Sequence, residues 1–125
     1  MNNEIFQEVF DILQPVLPKG WEKMVLFVGY TTGSSTMKYY TSDNSGKYTD
    51  CFSQKGINKA QLIKLFMNID KVVSSERKKL DEKSRWSVMT MLVSSEGSMQ
   101  TEFDYSDISE NVIAYEQKWK EKYIK

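Results

Sequence analysis

The sequence predicts an α+β fold, an antiparallel sheet with helices packed on it. Three observations point there. β-Prone stretches come as a group of three and a group of two, short turn signals join the members of each group, and single amphipathic helices precede, separate and follow the groups. The predicted order is α-βββ-α-ββ-α in one domain covering residues 1–125.

The first helix is set by Ile5, Phe6, Val9, Phe10, Leu13 and Val16 at helical spacing, with Glu4, Gln7, Glu8 and Asp11 between them. Asn3 is placed to cap it, Pro15 weakens its last turn, and Pro18-Lys-Gly20 breaks the chain. Residues 21–30 predict a strand around Met24-Val-Leu-Phe-Val28. After a turn at residues 31–35, residues 36–41 predict a second strand. Ser42-Asp-Asn-Ser-Gly46 is a turn signal, and residues 47–52 predict a shorter third strand. The short connections favour a meander.

Asn58 and Gln61 have capping-box spacing, and Ile57 and Leu62 have staple spacing. Leu62, Leu65, Phe66, Ile69, Val72 and Val73 then form an apolar stripe, with Lys59, Lys64 and Lys71 off it, in a helix that can reach Leu80. Residues 85–93 predict a fourth strand, with Trp86, Val88, Thr90 and Leu92 on one face and Met89, Met91 and Val93 on the other. Two apolar faces place it inside the sheet. A turn at residues 94–97 leads to the fifth strand, residues 98–105. Asp107 and Glu110 have the spacing to cap a last helix presenting Ile108, Val112, Tyr115, Trp119 and Tyr123.

Composition bounds the chemistry. At 125 residues the chain can build one core, and its formal net charge of zero names no partner. The charge is segregated, however. Residues 96–116 hold six acids and no base, while residues 55–85 hold nine bases and four acids. That pattern bears on association rather than fold. The N-terminus lacks the features of a secretory signal, and no apolar run reaches the roughly 20 residues of a membrane span. Histidine is absent, which removes the commonest general base and metal ligand. A single cysteine, Cys51, forms no internal disulfide, so the expected location is cytoplasmic.

Glu102 and Asp104 alternate with Phe103 and Tyr105, so a strand puts both carboxylates on one face. With Glu96, Asp107 and Glu110 they form the candidate contact for a cationic partner surface. Half of a metal-dependent hydrolytic site and a solvated strand face are the competing readings. A catalytic pair needs further ligands or a base, and none stands at a recognisable spacing. Cys51 has no histidine to activate it. Gly29, Gly33 and Gly46 form no phosphate-cradling pattern, and no cofactor is expected. A second class of function, single-strand nucleic-acid binding, would use Tyr39, Tyr40 and Tyr48 for stacking. Lys59, Lys64, Lys71 and Arg77-Lys-Lys79 would then meet phosphates.

Leu17-Pro-Lys-Gly-Trp21 after the first helix, Tyr39-Tyr40, Arg85-Trp86, Phe103-Asp-Tyr105 and Trp119-Lys-Glu-Lys-Tyr123 together resemble the YezG-type immunity proteins of Gram-positive bacteria. The resemblance covers nearly the whole chain. It implies a non-catalytic cytoplasmic antitoxin against a nuclease toxin exported by type VII secretion, generally one with an LXG-type or related targeting region. It also implies divergent copies in tandem arrays. The family carries no catalytic motif to transfer, and no nucleic acid or membrane is implied as a direct partner.

Overall fold

The computed structural model describes residues 3–124. Five strands form one antiparallel sheet in the order β3-β2-β1-β4-β5: β1 is Lys23–Thr31, β2 Ser34–Ser42, β3 Tyr48–Asp50, β4 Val88–Ser94 and β5 Met99–Asp104. Helices α1 (Asn3–Leu13), α2 (Lys59–Lys78) and α3 (Val112–Tyr123) complete the order α-βββ-α-ββ-α. The first three strands are a meander, and β4 lies inside the sheet between β1 and β5.

Both faces of the sheet are covered, which explains why β1 is buried from Met24 to Gly29. Met24, Leu26 and Val28 of β1 and Met89, Met91 and Val93 of β4 face α1 and α2, whose Val9, Leu13, Leu62, Ile69 and Val73 complete that core. Val25 and Phe27 face the other way, with Tyr40 and Val88, onto α3 through Trp119. The molecule is therefore a helix pair, a sheet and a single helix in three layers.

Local chemistry sets the element ends. The side chain of Asn58 accepts the N–H of Gln61 at 3.0 Å, so α2 starts where the capping box predicts. It ends at Lys78, two residues short of Leu80. Arg85 Nη2 donates to the carbonyls of Lys78 and Leu80 at 3.2 and 2.7 Å, satisfying groups left open at a helix end. Thr32 and Gly33 make the tight β1–β2 turn, where Gly33 takes a φ of 86° that other residues rarely adopt.

Several expectations need correction. Asn3 is the first residue of α1 rather than its cap, and the capping position lies outside the described residues. The first strand begins at Lys23. Trp21 instead closes a turn with its N–H on the Pro18 carbonyl, and its ring packs against Phe10. The third strand stops at Asp50, whose carboxylate accepts the N–H of Phe52 at 2.8 Å and turns residues 51–53 into a 3-10 helix that carries Cys51 into the core.

Trp86 precedes β4 and lies on the α2 side, opposite Val88, Thr90 and Leu92. Arg77 Nε donates to the Trp86 carbonyl at 2.6 Å, and its guanidinium lies 4.7 Å from the Tyr30 ring and 5.5 Å from the Trp86 ring. Those contacts hold the approach to β4 against α2.

Candidate functional site

β5 is the outermost strand beyond β4, and its side chains alternate between the two cores. Phe103 turns toward α1, with ring centroids 6.2 Å from Phe6. Glu102 and Asp104 share the opposite face, as strand alternation requires, and there they meet α3. Glu102 accepts the Tyr123 hydroxyl at 2.9 Å, and Asp104 accepts the Tyr115 hydroxyl at 2.6 Å. Trp119, between those tyrosines on the same helix face, donates its indole N–H to Thr90 at 2.8 Å inside the core.

The electrostatics follow from these bonds. The Tyr115 hydroxyl, then the backbone N–H of Ser106, hold the Asp104 carboxyl below its ordinary range. Burial, then the Asp104 bond, push the Tyr115 phenol upward. Burial and the Glu102 bond do the same to Tyr123. Lys122 is raised by its bond to Tyr123. Its ammonium lies 4.0 Å from Glu102, and Lys118 lines the same groove.

The candidate acids thus divide into two kinds. Glu102 and Asp104 are half-buried and anchor α3, although Glu102 keeps 40% of its side chain exposed. Glu96, Asp107 and Glu110 are exposed. Glu96 sits in the β4–β5 turn, about 20 Å along the strand from Asp104 by strand rise. Asp107 and Glu110 lie beyond Asp104 in the loop to α3.

That loop also corrects the capping reading. α3 begins at Val112 after Asn111, and the Asp107 carboxylate instead accepts the N–H of Ser109 at 3.0 Å. This bond lowers the Asp107 pKa. Ile108, expected on the helix, is buried in the core beneath α3 and pins the loop, leaving its two acids outside.

Sequence reasoning overlooked two things here. Lys118 and Lys122 return along α3 to the acidic strand, so the edge is less uniformly negative than the linear run. Glu4, Glu8 and Asp11 are exposed on α1, whose inner face packs on β5. The absence of any base between residues 3 and 18 was the signal for that second acidic surface.

The three tyrosines of the nucleic-acid reading do not form an exposed stacking platform. Tyr39 and Tyr40 are buried in the two cores, and Tyr48 is half-buried. Tyrosines that alternate along a strand in a three-layer fold are taken up by both layers. Lys59, Lys64 and Lys71 are exposed, but Arg77 is committed to Tyr30 and Trp86. Among the described residues no cluster of acids and cysteine is arranged to hold a metal ion, and no helix is long and apolar enough to cross a membrane.

A sheet clamped between helix layers, with charged groups displayed at its edges, is the architecture of a small α+β domain. The chain belongs to the YezG-like immunity proteins, whose family model, described as Immunity protein YezG-like, matches residues 2–125. Comparison with curated proteins gives no match. Membership implies an immunity role exercised by binding a toxin.

Proposed function

We propose that this chain is an antitoxin that binds a nuclease toxin exported by type VII secretion and neutralises it in the cytoplasm of a Gram-positive cell, by covering a basic surface. The whole of residues 1–125 acts as one immunity domain. The supporting observation is the loop between β5 and α3, where Asp107 and Glu110 are exposed while Ile108 is locked in the core. A nuclease must bind phosphates, so its substrate cleft gathers cations. Carboxylates on a pinned loop complement such a surface without reordering when they dock. Glu96, Glu102 and Asp104 extend the same contact along β5. The mode of action requires no catalytic group, cofactor, membrane or direct contact with nucleic acid.

The test separates contact from folding. E96K/D107K/E110K changes exposed residues and leaves the Glu102–Tyr123 and Asp104–Tyr115 bonds in place; it gives up the Asp107–Ser109 loop bond, so melting as the parent does is the control for the fold. Against a nuclease toxin domain that the unaltered chain neutralises, the triple variant should associate at least about tenfold more slowly at low salt, with the difference shrinking as salt rises. Equal association rates for parent and variant at low salt remove the acidic edge from the contact.

A further inference from the structure

On its outer side β2 is only half covered. β3 pairs with Tyr40, Thr41 and Ser42, so Ser34 to Tyr39 border no strand there among the described residues. Exposure follows the same division. Ser34 and Ser35 are exposed, Thr36 to Lys38 half-buried, and Tyr39 to Ser42 buried.

The ladder geometry says which backbone groups are open. The N–H of Tyr30 donates to Ser87 on the β4 side, so even-numbered residues of β1 bond toward β4 and odd-numbered ones toward β2. Through the pairs Gly29↔Thr36 and Phe27↔Lys38, Thr36 and Lys38 bond inward. Ser35 and Met37 therefore direct their N–H and C=O groups outward.

Beside this open edge lies a groove between β2 and α2, lined by Ser35, Met37, Ile63, Phe66, Met67 and Lys71 among others. Ile63 and Met67, one helical turn apart, are 53% and 59% exposed, an uncommon state for two neighbouring large apolar side chains. Lys71 stands at the rim and Lys64 adjoins Ile63 and Met67. Both lysines are exposed, and neither is in an ion pair among the described residues. Asp70, the acid in the groove, is taken up by the Tyr30 hydroxyl at 2.7 Å.

We propose that this half-edge and groove receive an extended segment of a partner polypeptide, which adds to β2 as a further strand. Its backbone pairs with Ser35 and Met37, and two apolar side chains at alternate positions enter the groove beside Met37, Ile63 and Met67. A carboxylate on the segment meets Lys64 or Lys71, rim cations without an ion-pair partner among the described residues. The inference rests on the immunity reading only for which protein carries the segment. The groove borders β2 and the acidic loop borders β5, so they lie toward opposite edges of the sheet and contact different parts of a partner.

The probe is a displayed library of random peptides of about twelve residues, long enough for a strand and its flanks, panned on the full chain. Enriched sequences should carry two apolar residues separated by one position, with an acidic residue nearby. A synthetic peptide of that sequence should slow amide exchange at Ser35 and Met37 at least about tenfold. The variant I63K/M67K, altered only at exposed positions, should bind it at least about tenfold more weakly while melting as the parent does. The proposal is overturned if panning enriches nothing over the double variant or if bound peptides protect other amides. It is overturned equally if the same two amides slow with protein concentration alone, which would make a second copy the occupant. Neutralisation of candidate nuclease toxins by the unaltered chain, measured in parallel, reports separately on the immunity reading.

Discussion

The hydroxyl of Tyr115 donates to the carboxylate of Asp104 at 2.6 Å, fastening α3 to the outermost strand of the sheet. The bond makes the docking of this helix pH-dependent. Asp104 is held below its ordinary pKa, first by Tyr115 and then by the Ser106 N–H. A carboxylate depressed by folding stabilises the folded state above its unfolded value and loses that contribution as pH falls through the folded value. Y115F and D104N should each destabilise the protein by about 1 kcal/mol at neutral pH. The gap to the parent should narrow below about pH 4, where an unfolded aspartate protonates. Urea unfolding at neutral pH and near about pH 3 checks this; equal gaps at both would refute the assignment.

Trp119 and Thr90 make the buried counterpart of that bond, with residue exposures of 5% and 3%. T90V keeps the shape but leaves the indole N–H without its acceptor inside the core. It should cost about 1–3 kcal/mol, whereas T90S, which retains an acceptor oxygen, should lose less. Denaturant titration followed by tryptophan fluorescence distinguishes them. Identical midpoints and slopes for the two variants would count against the hydrogen bond.

Tyr39 gives the opposite expectation. Its ring is fully buried, and its hydroxyl has no hydrogen-bond partner among the described residues. A desolvated, unpaired hydroxyl opposes folding. Y39F should therefore be neutral or stabilising, by up to about 1 kcal/mol. A loss of more than that in thermal or urea unfolding would show that the hydroxyl is paired after all.

Cys51 is fully buried, and burial, its largest influence, pushes the thiol up to about 11. Only the thiolate reacts, so at pH 8 the reactive fraction is on the order of 10⁻³ even before access is considered. An aromatic disulfide reagent should leave the native protein unlabelled at that pH and modify one thiol per chain once urea is added. Stoichiometric labelling of the folded protein within minutes would mean that residues 51–53 open readily.

Some elements were legible in the residues because their signals are local. Asn58 and Gln61 mark the start of α2 through a contact three residues apart, and β4 declares its interior position through apolar residues on both faces. The failures share a different cause. Ile108 has the spacing of a helical residue but is drawn into the core, so the chain turns at Ser109 and α3 starts only at Val112. Asp50 ends β3 with its own side chain, a competition between side-chain and ladder bonds that propensity does not rank. Trp86 lands on the α2 side because the strand begins after it, where an alternation count has no reference.

The candidate surface shows the same limit. Strand alternation alone put Glu102 and Asp104 on one face. Nothing along the chain showed that Tyr123 and Tyr115 would occupy them, or that Lys118 and Lys122 would stand beside them.

By itself, the sequence determined the element order, the two-sided burial of β4 and the resemblance to an immunity family, because each depends on residue types and short spacings. Only the tertiary structure decided which acids are free, which tyrosines are buried and which half of β2 lies open. Those properties arise where residues distant along the chain meet: α3 on β5, both helix layers on the sheet, and a three-residue β3 beside a nine-residue β2. Pairing across such separations follows how the layers close on one another, and no local pattern encodes it.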